Sequence, residues 1–285
     1  MKTRKRKYTI TILATALLFS LGGCVKDDLH DTPHPDKGVV AVSIDLPQGA
    51  SGEDYTVEID GTTADGREGR YTVSDPLPPG EYTVLAYNTP QGFTVADGIA
   101  RVRRMDGTRA LSDFIDPMPD YLYSGMERIT VVADDTLRMN LDVTQRVRDL
   151  HIELTVTEGD PERIAAITGT LSGVAEAYDL RNETLYGEAV STRPTFTRDG
   201  DKVSADLRLL GVLGDAQTLT LVLTFTDGQT QTVESDLTEV LSGFGEGDMT
   251  QTFAIEGGLR TPLEAGFSAT ITDWEVVDEG KIDVN

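Results

Sequence analysis

From Val39 onward, apolar and polar side chains alternate with a period of two. Val40, Val42, Ile44 and Leu46 are interleaved with Ala41, Ser43 and Asp45. Successive side chains of a strand point to opposite faces, so this spacing fits a half-buried strand and excludes an amphipathic helix. Similar segments follow at 55–59, 70–73, 82–87, 99–102, 129–132 and 137–143. A second series begins near Val147. In it Ile152, Leu154 and Val156 oppose His151, Glu153 and Thr155, and further strands are expected at 167–171, 203–209, 219–226, 230–235, 251–256 and 267–274.

Turn chemistry separates these segments. Asp-Gly pairs stand at 60–61, 65–66, 97–98, 106–107, 199–200 and 227–228, and Pro78-Pro79-Gly80 forces a break before Tyr82. Such pairs suit tight turns with positive φ. Helix is scarce: Ser235 or Asp236 caps at most a short one through Leu237, Val240 and Leu241, ended by Gly243, and a further turn is expected at Asp160-Pro161-Glu162. Short strands at this spacing give an all-β chain of two tandem β-sandwich domains. The expected division is a leader over 1–23, a tether over 24–38, sandwiches over 39–144 and 145–276, and a tail over 277–285.

The leader has its own logic. Lys2, Arg4, Lys5, Arg6 and Lys7 precede an apolar run from Tyr8 to Phe19, which closes on Leu21-Gly22-Gly23-Cys24. That run is short for a bilayer span, and its basic start and small-residue exit are those of a signal peptide. A cysteine directly after two glycines has the form of a bacterial lipobox, in which the thiol takes a diacylglyceryl group and becomes residue one. The alternative is a cleaved leader followed by a chance cysteine. Cys24 is the only cysteine in the chain, so it has no disulfide partner, and lipidation is the preferred reading. Residues 25–38 are polar, hold two prolines and read as an extended tether.

Charge narrows the partners. The chain carries 48 acidic against 25 basic residues, and five of the basic ones lie in the leader. Such a field repels nucleic acid and leaves lipid as the route to a membrane. Catalytic signals are absent. Ser124, Ser172 and Ser242 lack the G-x-S-x-G elbow, and His151 is the one imidazole in the folded part. His30 and His34, among Asp27, Asp28, Asp31 and Asp36, would hold a metal only on a helix that the prolines oppose. No catalytic residue, metal site or cofactor is expected. Lys202 falls in the turn after Asp199-Gly200, and Lys26, Lys37 and Lys281 in the tether and tail, so no Lys–Asn isopeptide crosslink is expected.

Several stretches resemble known families. Cys24-Val25-Lys26-Asp27-Asp28 resembles the surface-export signal of Bacteroidetes lipoproteins, with Lys26, Asp27 and Asp28 as its charged residues. Residues 77–84, Leu-Pro-Pro-Gly-Glu-Tyr-Thr-Val, resemble the strand start of transthyretin-like sandwiches. Leu122-Tyr123-Ser124-Gly125, residues 148–154 and residues 269–274 resemble the FimB/Mfa2 family of fimbrial anchor and accessory subunits. That resemblance implies fimbrillin-like sandwiches without enzymatic activity, lipid attachment to the outer membrane, and fimbrial subunits as partners joined by β-strand addition. It leaves anchor, tip and accessory positions open, and donor and acceptor strands too. The other class weighed is a glycan-binding surface lipoprotein of a polysaccharide-uptake system. That function needs an exposed aromatic platform, for which Trp274, Tyr82 and Tyr87 are the candidates.

Overall fold

Val40, Val42 and Ile44 point into a core from the first strand of the computed structural model, and all three are buried. The structure describes residues 36–46, 55–105, 114–262 and 268–277. The first half supplies β1 (Val39–Asp45), β2 (Tyr55–Ile59), β3 (Thr62–Thr63), β4 (Asp65–Arg67), β5 (Arg70–Thr72), β6 (Gly80–Asn88), β7 (Phe93–Ala96), β8 (Ile99–Val102), β9 (Phe114–Ile115), β10 (Tyr123–Val131) and β11 (Thr136–Asp142). The second half supplies β12 (Thr144–Gln145), β13 (Arg148–Glu158), β14 (Ile164–Asp179), β15 (Thr184–Thr192) and β16 (Thr197–Asp199). It closes with β17 (Lys202–Leu209), β18 (Thr218–Phe225), β19 (Thr230–Asp236), β20 (Phe253–Arg260) and β21 (Thr270–Val277). The all-β expectation holds.

Four sheets form two packed pairs. In the first pair, a sheet ordered β11-β1-β5-β4 faces one ordered β12-β10-β6-β2-β3. Their inner faces meet through Val42, Tyr71, Val57, Val84, Val131 and Leu141. In the second pair, β16-β17-β13-β20-β21 faces β19-β18-β14-β15-β9 over a larger core that includes Ile152, Leu207, Leu221 and Ile255. Besides the short parallel match of β9 to β15, two longer pairings are parallel within otherwise antiparallel neighbourhoods. These are β1 with β11, from Val39 opposite Thr136 to Asp45 opposite Asp142, and β13 with β20.

Strand β6 belongs to both cores. Val84 and Ala86 face the first, whereas Leu85 and Tyr87 face the second. Its run from Val84 to Asn88 is therefore buried without alternation, as happens where both faces of a strand are covered. A fully buried side chain the size of leucine contributes about 2 kcal/mol, so the junction is a packed layer. Polar contacts add to it. Glu58 accepts from Tyr87 at 2.8 Å and from Arg181 of the second half at 2.8 Å. Burial, with the Glu58 hydrogen bond behind it, pushes the Tyr87 phenol up to about 12. Strands β7 and β8 form a hairpin that docks through β8 on β14, and β9 pairs with β15. These three strands come from the N-terminal side of the expected boundary at Thr144 yet complete a sheet of the C-terminal half.

Some local expectations are corrected. Asp60-Gly61 and Asp97-Gly98 do make turns with positive φ at both residues, but Gly66 lies inside β4, and the turn there falls on Glu68-Gly69. Gly66 is needed for close approach: a Cβ would stand 2.1 Å from the Arg70 carbonyl oxygen. The pair at 106–107 lies outside the described residues. In place of the short helix after Asp236 there is a run of turns, with Leu241 N–H bonded to Leu237 but Phe244 N–H bonded to Leu241. Gly243 and Gly245 disfavour helix there. The Asp160 turn forms as a 3-10 turn, Pro161–Arg163, with Asp160 accepting from Glu162 N–H. Lys202 opens β17 instead of sitting in a turn, and its ammonium bonds Glu153 across the strands.

Two aspartates cap turns in the segment after β19. Asp236 accepts from the Thr238 hydroxyl and N–H, and Asp248 accepts from the Thr250 N–H and hydroxyl. These bonds hold both carboxyls below the usual 3.8. A carboxylate depressed in the folded state stabilises above its unfolded pKa, and that contribution is lost as pH falls through the folded value. The melting midpoint is therefore expected to fall below about pH 4, and the fall should be shallower in Asp236→Asn/Asp248→Asn. Identical pH profiles of the two chains in thermal melts would disprove the assignment.

Candidate functional site

An added strand needs an existing strand edge with free N–H and C=O groups and room beside it. Among the described residues, β3, β4, β9, β12 and β16 are edge strands only two or three residues long. Strands β19 and β21 are longer, but each lies against the other. The Trp274 indole N–H on β21 donates to the Ser235 hydroxyl on β19 at 2.7 Å, and the ring lies over Gly257, where a Cβ would come within 3.0 Å of it. The first half of β14 pairs with β18 on one side only. Its other side borders a groove of about 380 Å³ lined by Gly169, Thr170, Arg193 and Phe196. The crossover from β15 to β16 runs there, with the Phe196 ring against Gly169.

Strand β11 differs. It has seven residues and, among the described residues, pairs with β1 alone. Leu137, Met139 and Leu141 share one face, and only Leu141 is fully buried, whereas Leu137 and Met139 are partly buried against the first core. Strand β10, in the facing sheet, pairs with β12 only at Tyr123 and Ser124, leaving Met126–Val131 bonded to β6 alone among the described residues. Glu127 marks the gap. It has the same parity as the buried Tyr123, Ile129 and Val131, yet it is exposed. An inward-facing charge beside an unpaired edge protects it against indiscriminate pairing. Together β10 and β11 leave a seam with two strand edges, a half-covered apolar strip and one carboxylate.

The residues singled out from sequence are mostly elsewhere. Cys24, Lys26, Asp27, Asp28, His30 and His34 lie outside the described residues. Their chain enters the first sheet at Gly38, whose N–H and C=O both bond Leu77 at 2.8 Å. His151 Nδ1 lies 2.7 Å from Asp206 on the neighbouring strand. Ser124 is buried and accepts from Arg146, whose guanidinium also bonds Glu183 and lies 5.3 Å from the Tyr178 ring centre. Tyr82 donates to the Pro78 carbonyl and Tyr87 to Glu58. Trp274, Tyr82 and Tyr87 are thus structural rings in contact with their own sheets and form no common platform.

Sequence reasoning missed Arg148. Its guanidinium is buried and donates to the carbonyls of Gln251, Phe244 and Glu246, at 2.8, 2.7 and 2.9 Å. It also lies 5.0 Å from the Phe253 ring centre. Burial holds its pKa below the usual arginine value. This arginine ties the turns at 237–251 to β13. The one sequence hint was an arginine in register with Leu150, Ile152 and Leu154, on the apolar face of its strand.

Comparisons agree on the fold. The family model of fimbrillin-A associated anchor proteins Mfa1 and Mfa2 matches residues 50–280. The fimbrial anchor protein Mfa2 from Porphyromonas gingivalis superposes with a TM-score of 0.59 at 12% identity, covering 84% of this chain and 97% of that one. A candidate adhesin from Bacteroides ovatus gives 0.60 at 17% identity, covering 88% and 97%. A candidate polysaccharide-binding protein from Bacteroides thetaiotaomicron gives 0.54 at 12% identity, covering 86% and 99%. No curated protein sequence matches the chain.

Proposed function

The chain belongs to the family of fimbrillin-A associated anchor proteins, and from that premise we propose that it ties a fimbrium to the outer membrane. In this reading lipid on Cys24 holds the chain in the membrane, and Lys26-Asp27-Asp28 directs it to the outer face. A fimbrial subunit joins by laying an extended segment into the seam between β10 and β11. The observation that carries the docking step is the unpaired edge of β11 with Leu137 and Met139 left half-covered. Main-chain bonds to such an edge give affinity, and alternate side chains of the incoming segment would finish covering that strip. Glu127 selects a segment with a basic residue opposite it.

Deleting the protein is expected to release longer fimbriae into the medium and to reduce their attachment. Unchanged length and retention would remove the anchor reading. Complementation with Leu137→Lys tests the edge. Covering a lysine there costs about 2 kcal/mol, on the order of thirtyfold in affinity, so this variant should reach the surface yet fail to retain filaments. Full retention by Leu137→Lys would place docking elsewhere while leaving the anchor role intact.

A further inference from the structure

An anchor under tension has to withstand a pull between its membrane end and its filament end, and the register of β1 states how this chain meets it. The tether enters at the N-terminal end of β1, while the N-terminal end of β11 continues from β10. The C-terminal end of β11 leads through Val143, Thr144 and Gln145 into the second half. Because the two strands are parallel and in register, Val39 lies beside Thr136, and Asp45 beside Asp142. Tension between the tether and the second half therefore draws β1 toward its N-terminus and β11 toward its C-terminus. These are opposite directions along neighbouring strands.

Inter-strand hydrogen bonds run across the strands. A force along the strands loads them together, whereas a force applied to both strands at one end opens them one after another. The bonded length exceeds the strand itself. Asp134 N–H bonds the Lys37 carbonyl, Val39 N–H bonds Asp135, and Val143 N–H bonds the Asp45 carbonyl at the far end. The other flank of β1 is held too, by the Gly38–Leu77 pair and by the antiparallel match of Ala41, Val42 and Ser43 to β5. Drawing β1 out would also strip Val40, Val42 and Ile44 from the core.

We infer that β1 and β11 form a mechanical clamp that takes the tether load in shear. The physiological part of this inference rests on the anchor reading. The mechanical part does not, and a partner strand laid along β11 would pass its load to the same ladder.

Single-molecule pulling on the chain made without its leader, so that Cys24 keeps a free thiol, tests it. Cys24 is the only native cysteine, so one handle attaches there and the second to an engineered cysteine. Thr144→Cys, at an exposed position, loads β1 and β11 from opposite ends. Val132→Cys, also exposed, sits before β11 beside the tether and loads the pair from one end. At equal loading rate the 24–144 geometry is expected to rupture at about twice the force of the 24–132 geometry or more. Equal forces, or a weaker 24–144 geometry, would overturn the clamp. Such a result would leave the deletion phenotype free to support or reject the anchor reading.

Discussion

A Cys24→Ser chain is expected to fold, to melt like the unaltered protein, and to move from the membrane fraction to the soluble one with no acyl label. The expectation follows from where the folded part begins. The described first sandwich starts at residue 36, and its core is drawn from β1 onward, so the thiol lies upstream of every buried contact in the structure. On the proposed reading, membrane affinity comes from the lipid. One myristoyl chain gives an association constant of only about 10⁴ M⁻¹, and stable anchoring takes a second signal. A diacylglyceryl group supplies two chains. The surface itself, with 48 acidic residues against 25 basic, would be repelled by anionic lipid. Removing the lipid should therefore shift nearly all the protein, and fimbriae should be lost along with it. Metabolic labelling with a palmitate analogue and fractionation give the readout. Retention of label or of membrane binding in Cys24→Ser would refute lipidation at this residue.

The largest loss of stability from one substitution is expected at Arg148. Its three carbonyl partners belong to the segment between β19 and β20, and its aliphatic and guanidinium surfaces cover Phe244 and Phe253. Arg148→Met preserves much of the volume but leaves three buried acceptors without a donor. Each such loss costs about 1–3 kcal/mol, partly relieved by water. A total near 3 kcal/mol would lower the melting midpoint by roughly 6–12 °C for a chain of this size. Arg148→Lys should fall nearly as far, since an ammonium cannot span three carbonyls in the plane of a guanidinium. Limited proteolysis between 237 and 251 should quicken in both variants. An unchanged melt and cleavage rate in Arg148→Met would show that the turns are held by their apolar contacts alone.

The strands most easily seen in the sequence were those with one dry face. β2 and β8 fall where alternation puts them, and β17 and β18 do so within a residue. Where alternation fails, so does the reading. β14 runs for sixteen residues, but the register shifts between Ser172 and Val174 and again between Ala175 and Ala177. Each irregularity turns the apolar face over, so only 167–171 looked like a strand. β15 was missed because five of its nine residues are exposed and only Thr192 is fully buried. In β10 the charged pair Glu127-Arg128 hid the first half of the strand. That interruption is itself part of the seam. A charge at an inward position breaks the pattern because the edge beside it is open, and knowing this requires the neighbouring sheet. Cys24 and Lys26-Asp27-Asp28, by contrast, are read from short linear patterns that need no fold. The docking of β7 to β9 on the second half depends on pairings 70 or more residues apart in sequence, which no local pattern encodes.

The doubly covered strand β6 has a consequence for geometry at the cell surface. Because Leu85 and Tyr87 are shared with the second core, the two sandwiches cannot swivel about a flexible joint without exposing that layer to water. Through this shared layer the described parts of the two sandwiches behave as one stiff strut. A subunit seated on β11, as proposed above, would therefore keep a fixed bearing relative to the far sandwich. If the chain is an anchor as proposed, the filament would tilt together with the whole body.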